Sequence, residues 1–267
     1  MNIQEQIMHT TLRIELLKNG VVQGTGTGFL ISVPTENNDA FRIVLVSNKH
    51  VLLYGDEIAV TFTTMRNGVP EYGKTIRLPI SNMRPNVVGH PNPDVDVAAL
   101  VCTGIFNLLP DQLYFKAISY ELLSDFTEPE LSVAENVYFV GYPADRYDAK
   151  NNLPLIRTGL ISSNPKFDYN GKPVFVIDAQ VFPGSSGSPV YINYTVEDFK
   201  NGRIVLSDHP NIKVLGIIAQ TMIRKNQLQS IPVGSVNVTE EVLGLGIVFK
   251  STVIKETVDE AISKFGN

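Results

Sequence analysis

About a dozen short apolar segments, each closed within a few residues by Gly, Pro, Asn or Asp, limit what this chain can fold into more than any other feature. They run over Thr11–Leu17, Gly28–Val33, Phe41–Ser47, Glu57–Thr64, Val97–Cys102 and Val137–Gly141. They resume over Leu155–Ser162, Val174–Phe182, Pro189–Ile192, Ile204–Leu206, Val214–Thr221 and Gly244–Phe249. Segments of this length, rich in β-branched residues and evenly spaced by turns, pack as antiparallel barrels or a sandwich rather than around helices. The expected class is all-β. Two stretches depart from it. Tyr120–Phe126 fits a helical turn in the connection between two groups of strands, and apolar residues at 253, 254, 258, 261 and 262 predict a C-terminal helix over about 252–265, capped by Ser251 or Thr252. There is no internal repeat, low-complexity tract or Pro/Ser linker, so residues 1–267 are expected to form one domain.

Composition removes several functional classes. With 43% hydrophobic residues the 267-residue chain can bury a large core, and its net charge of −5 with no Lys/Arg run longer than two gives a phosphate backbone nothing to track. Nucleic acid is not an expected partner. Neither is a membrane, because no apolar run approaches bilayer length. The N-terminal residues lack a basic, then apolar, leader pattern, and Cys102 is the only cysteine, which fits a reducing cytoplasm. Four scattered histidines and one cysteine leave no metal-ligand spacing, so neither metal nor cofactor is expected.

The chemistry concentrates in Phe182-Pro183-Gly184-Ser185-Ser186-Gly187-Ser188-Pro189, where a glycine two before a serine can leave two backbone N–H groups facing one small space. By composition alone Ser185, Ser186 and Ser188 all compete as nucleophile. Upstream, Val44–Val51 is an apolar run carrying His50, and Asp94-Val95-Asp96 leads a second such run, with either aspartate able to orient a histidine. His9, His90 and His209 lie outside any such setting. The chain order is His, Asp, Ser. A GxSxG elbow does not fit, because Ser occupies position 188 where Gly would be needed.

Gly24-Thr25-Gly26-Thr27-Gly28-Phe29 with Ser47-Asn48-Lys49-His50-Val51, Asp96-Val97-Ala98-Ala99-Leu100, Val140-Gly141-Tyr142-Pro143, Thr158-Gly159-Leu160-Ile161-Ser162, Asp178–Pro189, Leu215-Gly216-Ile217 and Gly244-Leu245-Gly246 occur in one order. Together this series resembles trypsin-like serine peptidases of the chymotrypsin fold, in particular the bacterial HtrA-like branch. The resemblance implies two six-stranded antiparallel barrels, over about 8–110 and 130–250, with the site between them. It implies His50 as general base, Asp96 as its partner in preference to Asp94, Ser186 as nucleophile, and the N–H groups of Gly184 and Ser186 as oxyanion hole. It also places Gln180 at the base of the primary specificity pocket, with Val181, Ala219, Thr221 and Gly246 as its walls. The activity implied is serine endopeptidase on peptide or protein substrates. A partner-activated effector in a stress or defence pathway, or a latent protease-fold binding module, is the alternative. Three features depart from the pattern. Ser185 stands where secreted members carry Asp and HtrA carries Asn, and the segments 190–214 and 223–243 are longer than in minimal members. The long segment suggests a regulatory partner site at 191–211. With no room for a PDZ domain, the chain is expected to stand alone.

Overall fold

The computed structural model describes residues 3–35, 40–55, 57–81, 84–109, 111–194, 197–200, 203–206, 211–229 and 236–266. The first half contains α1 (Ile3–Met8), β1 (Thr11–Lys18), β2 (Val21–Pro34), β3 (Phe41–Ser47), α2 (Lys49–Leu52), β4 (Glu57–Arg66) and β5 (Val69–Ser81). It continues with β6 (Val87–Gly89), β7 (Ala98–Val101), α3 (Thr103–Leu108), β8 (Leu113–Tyr114) and β9 (Ile118–Ser119). The second half contains β10 (Asn136–Gly141), β11 (Leu155–Ile161), β12 (Val174–Asp178), β13 (Pro189–Tyr194), β14 (Glu197–Lys200), β15 (Arg203–Leu206), β16 (Asn211–Gln229), β17 (Val236–Lys250) and α4 (Ser251–Phe265).

The first half is one sheet of nine strands in the order β5-β4-β1-β2-β3-β7-β6, with β8 added to β4 and β9 to β2. The second half is a closed barrel, β10-β11-β12-β17-β16-β13. The all-β expectation is thus met by one six-stranded barrel and one larger sheet. Two-residue connections, Asn19-Gly20 between β1 and β2 and Asn67-Gly68 between β4 and β5, have φ of 52° and 74°, and of 52° and 78°. Positive φ at both central residues is the type I′ geometry that matches the twist of a hairpin.

Three apolar clusters hold the structure. One lies inside the first sheet around Ile14, Leu45, Val60 and Leu100, and one inside the barrel around Phe139, Phe175, Ile177 and Leu215. The third crosses between the halves, joining Phe29, Ile31 and Val46 to Val140, Tyr191 and Ile217, and it includes Val253, Ile254, Val258 and Ala261 of α4. Burying such side chains contributes roughly 1.5–3 kcal/mol each, so the two halves are bound through a shared core and α4 closes its edge. The helix begins one residue earlier than expected. Lys250 occupies the N-cap position without a side-chain cap bond. Ser251 instead donates its hydroxyl to the Ser124 carbonyl, so tertiary contact takes the group that local capping would have used.

The long segment from Ile223 to Leu243 is not a plain loop. β16 and β17 continue as a paired ribbon as far as Gln229 and Val236, past register shifts between Ile218 and Gln220 and between Thr221 and Ile223. The stretch carries no long apolar run in the sequence, yet its backbone pairs in continuation of strands already in register. In the other long segment, β14 and β15 pair as a separate two-stranded sheet, and the rest of 195–210 lies outside the described residues.

Candidate active site

The Val44–Val51 run splits into two elements. β3 ends at Ser47, and the fully buried Asn48, in extended backbone at the N-cap of α2, turns the chain so that His50 emerges on a short helix rather than on the strand. The Asn48 amide donates to the Asp96 carbonyl at 2.7 Å, which binds this turn to the Asp94–Asp96 loop. There Val95 and Val97 are buried on either side of Asp96 and fix its backbone. Its carboxylate receives the His50 backbone N–H at 3.1 Å and pairs with the ring Nδ1 at 2.5 Å. With Nδ1 donating, Nε2 is left as the basic nitrogen. Among the described residues Asp94 has no hydrogen bond or ion pair to His50. Its backbone N–H takes the Asn92 side chain at 2.9 Å, and its side chain is exposed. Next to His50, burial lowers the pKa of Lys49, with the Asp96 charge pulling the other way, and its ammonium donates to the Asn92 carbonyl.

Of the three serines, Ser185 and Ser188 are buried with hydroxyls that find no hydrogen-bond partner, while Ser186 is half-buried. Its Oγ donates to the Ala219 carbonyl at 3.0 Å, and among the described residues no hydrogen bond joins it to His50. The segment before it is a tight turn: Ser185 N–H donates to the Phe182 carbonyl at 2.9 Å, with Gly184 at φ 88°. The Pro183 carbonyl before it accepts the Ala144 N–H at 2.7 Å. Among the described residues neither Gly184 N–H nor Ser186 N–H has an acceptor. One turn later Gly187 has φ 90°, and a Cβ there would sit 1.7 Å from the Thr27 carbonyl oxygen.

A family model for the trypsin-like peptidase domain matches residues 26–195, well over half of the chain. The chain belongs to the trypsin-like peptidase family. Among solved structures, a serine endoprotease from Yersinia pestis is 15% identical with a TM-score of 0.51, over 98% of this chain and 66% of that one. The chain therefore spans slightly less than two thirds of that protein's length. An inactive serine-to-alanine mutant of a Mycobacterium tuberculosis H37Rv protein aligns at 17% identity and TM-score 0.47, over 97% of this chain and 89% of that one. An inactivated protease paralogue from the scabies mite aligns at 13% identity and TM-score 0.49, over 97% and 96%. At such identities the Yersinia likeness concerns the fold. No curated protein matches the chain.

Within this trypsin-like peptidase, a cavity of about 310 Å³ opens beside Asp96, lined by Asp94, Tyr169, Lys172, Val174, Ala219 and Phe249 among others. Among the described residues of the expected specificity pocket, Ala219 also lines this space. Gln180 is exposed, and its carbonyl accepts from the Arg157 guanidinium, which lies 5.2 Å over both the Phe139 and the Phe182 rings. Burial lowers the Arg157 pKa. Val181 is buried against Gly246, where an added Cβ would come within 2.7 Å of a Val181 methyl, so these two pack on each other. The Thr221 side chain lies outside the described residues. Among the described residues there is no group of three His, Cys, Asp or Glu able to hold a metal ion, and no helix long and apolar enough to cross a membrane. Sequence reasoning missed Asn48, Thr27 and Ala144, all of which bind the site through partners distant in the chain. The signal for Thr27 was visible: it is the one large side chain between two glycines in Gly26-Thr27-Gly28.

Proposed function

We propose that this chain is a serine endopeptidase that cleaves peptide bonds through an acyl-enzyme. The observation that carries the reading is the pairing of His50 with Asp96, together with a turn at Ser186 whose own N–H and that of Gly184 have no acceptor among the described residues. Ser186 Oγ attacks the substrate carbonyl carbon while His50 Nε2 takes its proton, and Asp96 stabilises the imidazolium that results. The oxygen that becomes negative is received by Gly184 N–H and Ser186 N–H. Removing one donor of this kind costs about 10²–10³ in turnover, so a preorganised turn matters as much as the nucleophile. The protonated His50 then gives its proton to the departing amine as the carbonyl–nitrogen bond breaks. Water repeats the sequence against the acyl-serine, releasing the second fragment and restoring the Ser186 hydroxyl.

The substrates are peptides or proteins, and the residue before the cut is neutral rather than basic, because Gln180, Val181, Ala219, Thr221 and Gly246 carry no carboxylate. The setting is cytoplasmic. Supporting this, the lone thiol, Cys102, is buried with its pKa pushed up to about 12, so it has neither a disulfide partner nor thiolate reactivity. A regulatory partner at 191–211 remains part of the proposal, and most of that segment lies outside the described residues.

The test is labelling with a fluorophosphonate, which reacts only with an activated serine. Wild type should label at Ser186. Ser186→Ala should lose labelling and, by analogy with removal of a triad member elsewhere, on the order of 10⁶ in turnover. Label on Ser185 or Ser188, or none on a folded wild type, would overturn the reading.

A further inference from the structure

We propose that Thr27 is a positioning residue for catalysis, whose side-chain hydroxyl holds the oxyanion turn in its working geometry from the opposite half of the molecule. The proposal rests on the serine peptidase reading above.

Thr27 lies on β2, is fully buried, and is separated by 157 residues from Gly184, whose carbonyl accepts its hydroxyl at 2.7 Å. The direction of that bond is set by its neighbour. Tyr142 N–H donates to the same oxygen at 3.2 Å, so the Thr27 proton is free to go to Gly184. The backbone of Thr27 is equally committed. Its N–H donates to the Ser186 carbonyl at 2.9 Å, and its carbonyl accepts the Ser47 hydroxyl at 2.6 Å. One residue thus binds the carbonyls of both Gly184 and Ser186. The Pro183 carbonyl between the turn and its own barrel is taken by Ala144 N–H. The two peptides that carry the Gly184 and Ser186 N–H groups have their carbonyls bound by Ala144 N–H, at Pro183, and by Ser188 N–H at 3.0 Å, at Ser185. Thr27 fixes the Gly184–Ser185 peptide that joins these two and the Ser186–Gly187 peptide that follows, so a flip anywhere in the turn must break a hydrogen bond.

Only position 27 can make this contact. A Cβ at Gly26 would meet Val51 at 2.7 Å, and one at Gly28 would meet Ile14 at 2.7 Å, so both neighbours are confined to glycine and present no side chain to the turn. The contact crosses between halves. The oxyanion turn belongs to the barrel, yet its hydroxyl clamp comes from the nine-stranded sheet, so the turn is set only when the halves are seated on each other. Ser185, between the two residues that Thr27 binds, is buried with an unbonded hydroxyl and provides no such clamp.

Thr27→Val keeps the shape and removes the hydroxyl, and Thr27→Ser keeps the hydroxyl. The probes are the fluorophosphonate and p-nitrophenyl acetate. Thr27→Val should lower kcat about 10²-fold, the order of one oxyanion donor, with KM within about threefold and labelling slowed in parallel. Thr27→Ser should stay within about threefold of wild type in both. Loss of stability alone would lower the melting temperature without changing kcat per folded molecule, as active-site titration counts it. Thr27→Ala, which introduces no new methyl into the turn, repeats the test if the valine variant does not fold. Wild-type kcat in folded Thr27→Val or Thr27→Ala would overturn the proposal while leaving the serine reading intact. An unlabelled wild type would overturn both.

Discussion

Ser186 Oγ donates its proton to the Ala219 carbonyl at 3.0 Å, and His50, the residue expected to receive it, is held instead by Asp96. The proposed nucleophile is therefore parked on β16. The bond it must give up is a single neutral hydrogen bond, worth about 0.5–1.5 kcal/mol net. The backbone around it is already bound at Gly184, Pro183 and Ser186.

Because rotation about one side-chain bond takes picoseconds to nanoseconds, hydrolysis of p-nitrophenyl acetate should begin without a lag. Stopped-flow absorbance on the millisecond scale checks this. A lag that depends on protein history, and shortens on addition of a partner or peptide, would place the barrier in the turn itself and favour partner-triggered activation.

Asp96→Asn and Asp94→Asn should separate cleanly. Asp96 contacts both the ring and the backbone N–H of His50, so its amide presents a donor to Nδ1 and favours the wrong tautomer. The expected loss is about 10⁴ in kcat. Asp94 lines the neighbouring cavity with no hydrogen bond or ion pair to His50 among the described residues, so its amide should change kcat by less than about threefold. Comparable losses in the two variants would remove Asp96 from its role.

Gly187→Ala should be far more damaging than Gly20→Ala, although both positions have positive φ. At Gly20 nothing lies within 4 Å of an added Cβ, leaving only the backbone strain of about 1–2 kcal/mol. At Gly187 the Cβ would overlap the Thr27 carbonyl oxygen, so β2 and the nucleophile turn must separate. A loss of at least about 3 kcal/mol is expected, read as a shift of the urea midpoint.

His9 should make the fold weaken on mild acidification. Burial lowers its pKa below 6.5, with the charge of Lys116 acting in the same direction and Glu5 opposing. The folded state thus binds the proton less readily than the unfolded chain. The stability this contributes is fully present above pH 6.5 and is lost as pH falls through the folded value. His9 also meets the Tyr72 hydroxyl at 3.2 Å, so His9→Gln retains a polar partner. Melting temperature plotted from pH 7.5 downward should fall less steeply in His9→Gln, and parallel curves would assign the slope to other groups.

Cleavage of a mixed peptide library should show no dominance of Arg or Lys before the cut. A cation at the expected pocket would lose hydration against Val181, Ala219 and Gly246 with no carboxylate among them, a cost of several kcal/mol. Profiling by mass spectrometry tests it. A dominant basic residue would move the pocket toward Asp94 and Asp96, the carboxylates that line the described cavity.

The sequence by itself determined the all-β class and the C-terminal helix, and it made His50 and the 182–189 turn candidates, while Ser186 was singled out among three serines only through the family resemblance. The first two depend on strand-length apolar segments and on helical spacing, and such preferences are local. Tertiary structure decided what depends on partners far apart in the chain. It set Asp96, the aspartate that the resemblance already preferred, against His50, moved His50 from a strand end onto α2 through Asn48 and the Asp96 carbonyl, and took Ser251 from its cap to bind Ser124. It paired 223–229 with 236–242 as a ribbon and brought Thr27 to Gly184 across the two halves. Most buried donors find an acceptor, and which one they find depends on how the sheet and the barrel pack, a relation that no window of sequence contains.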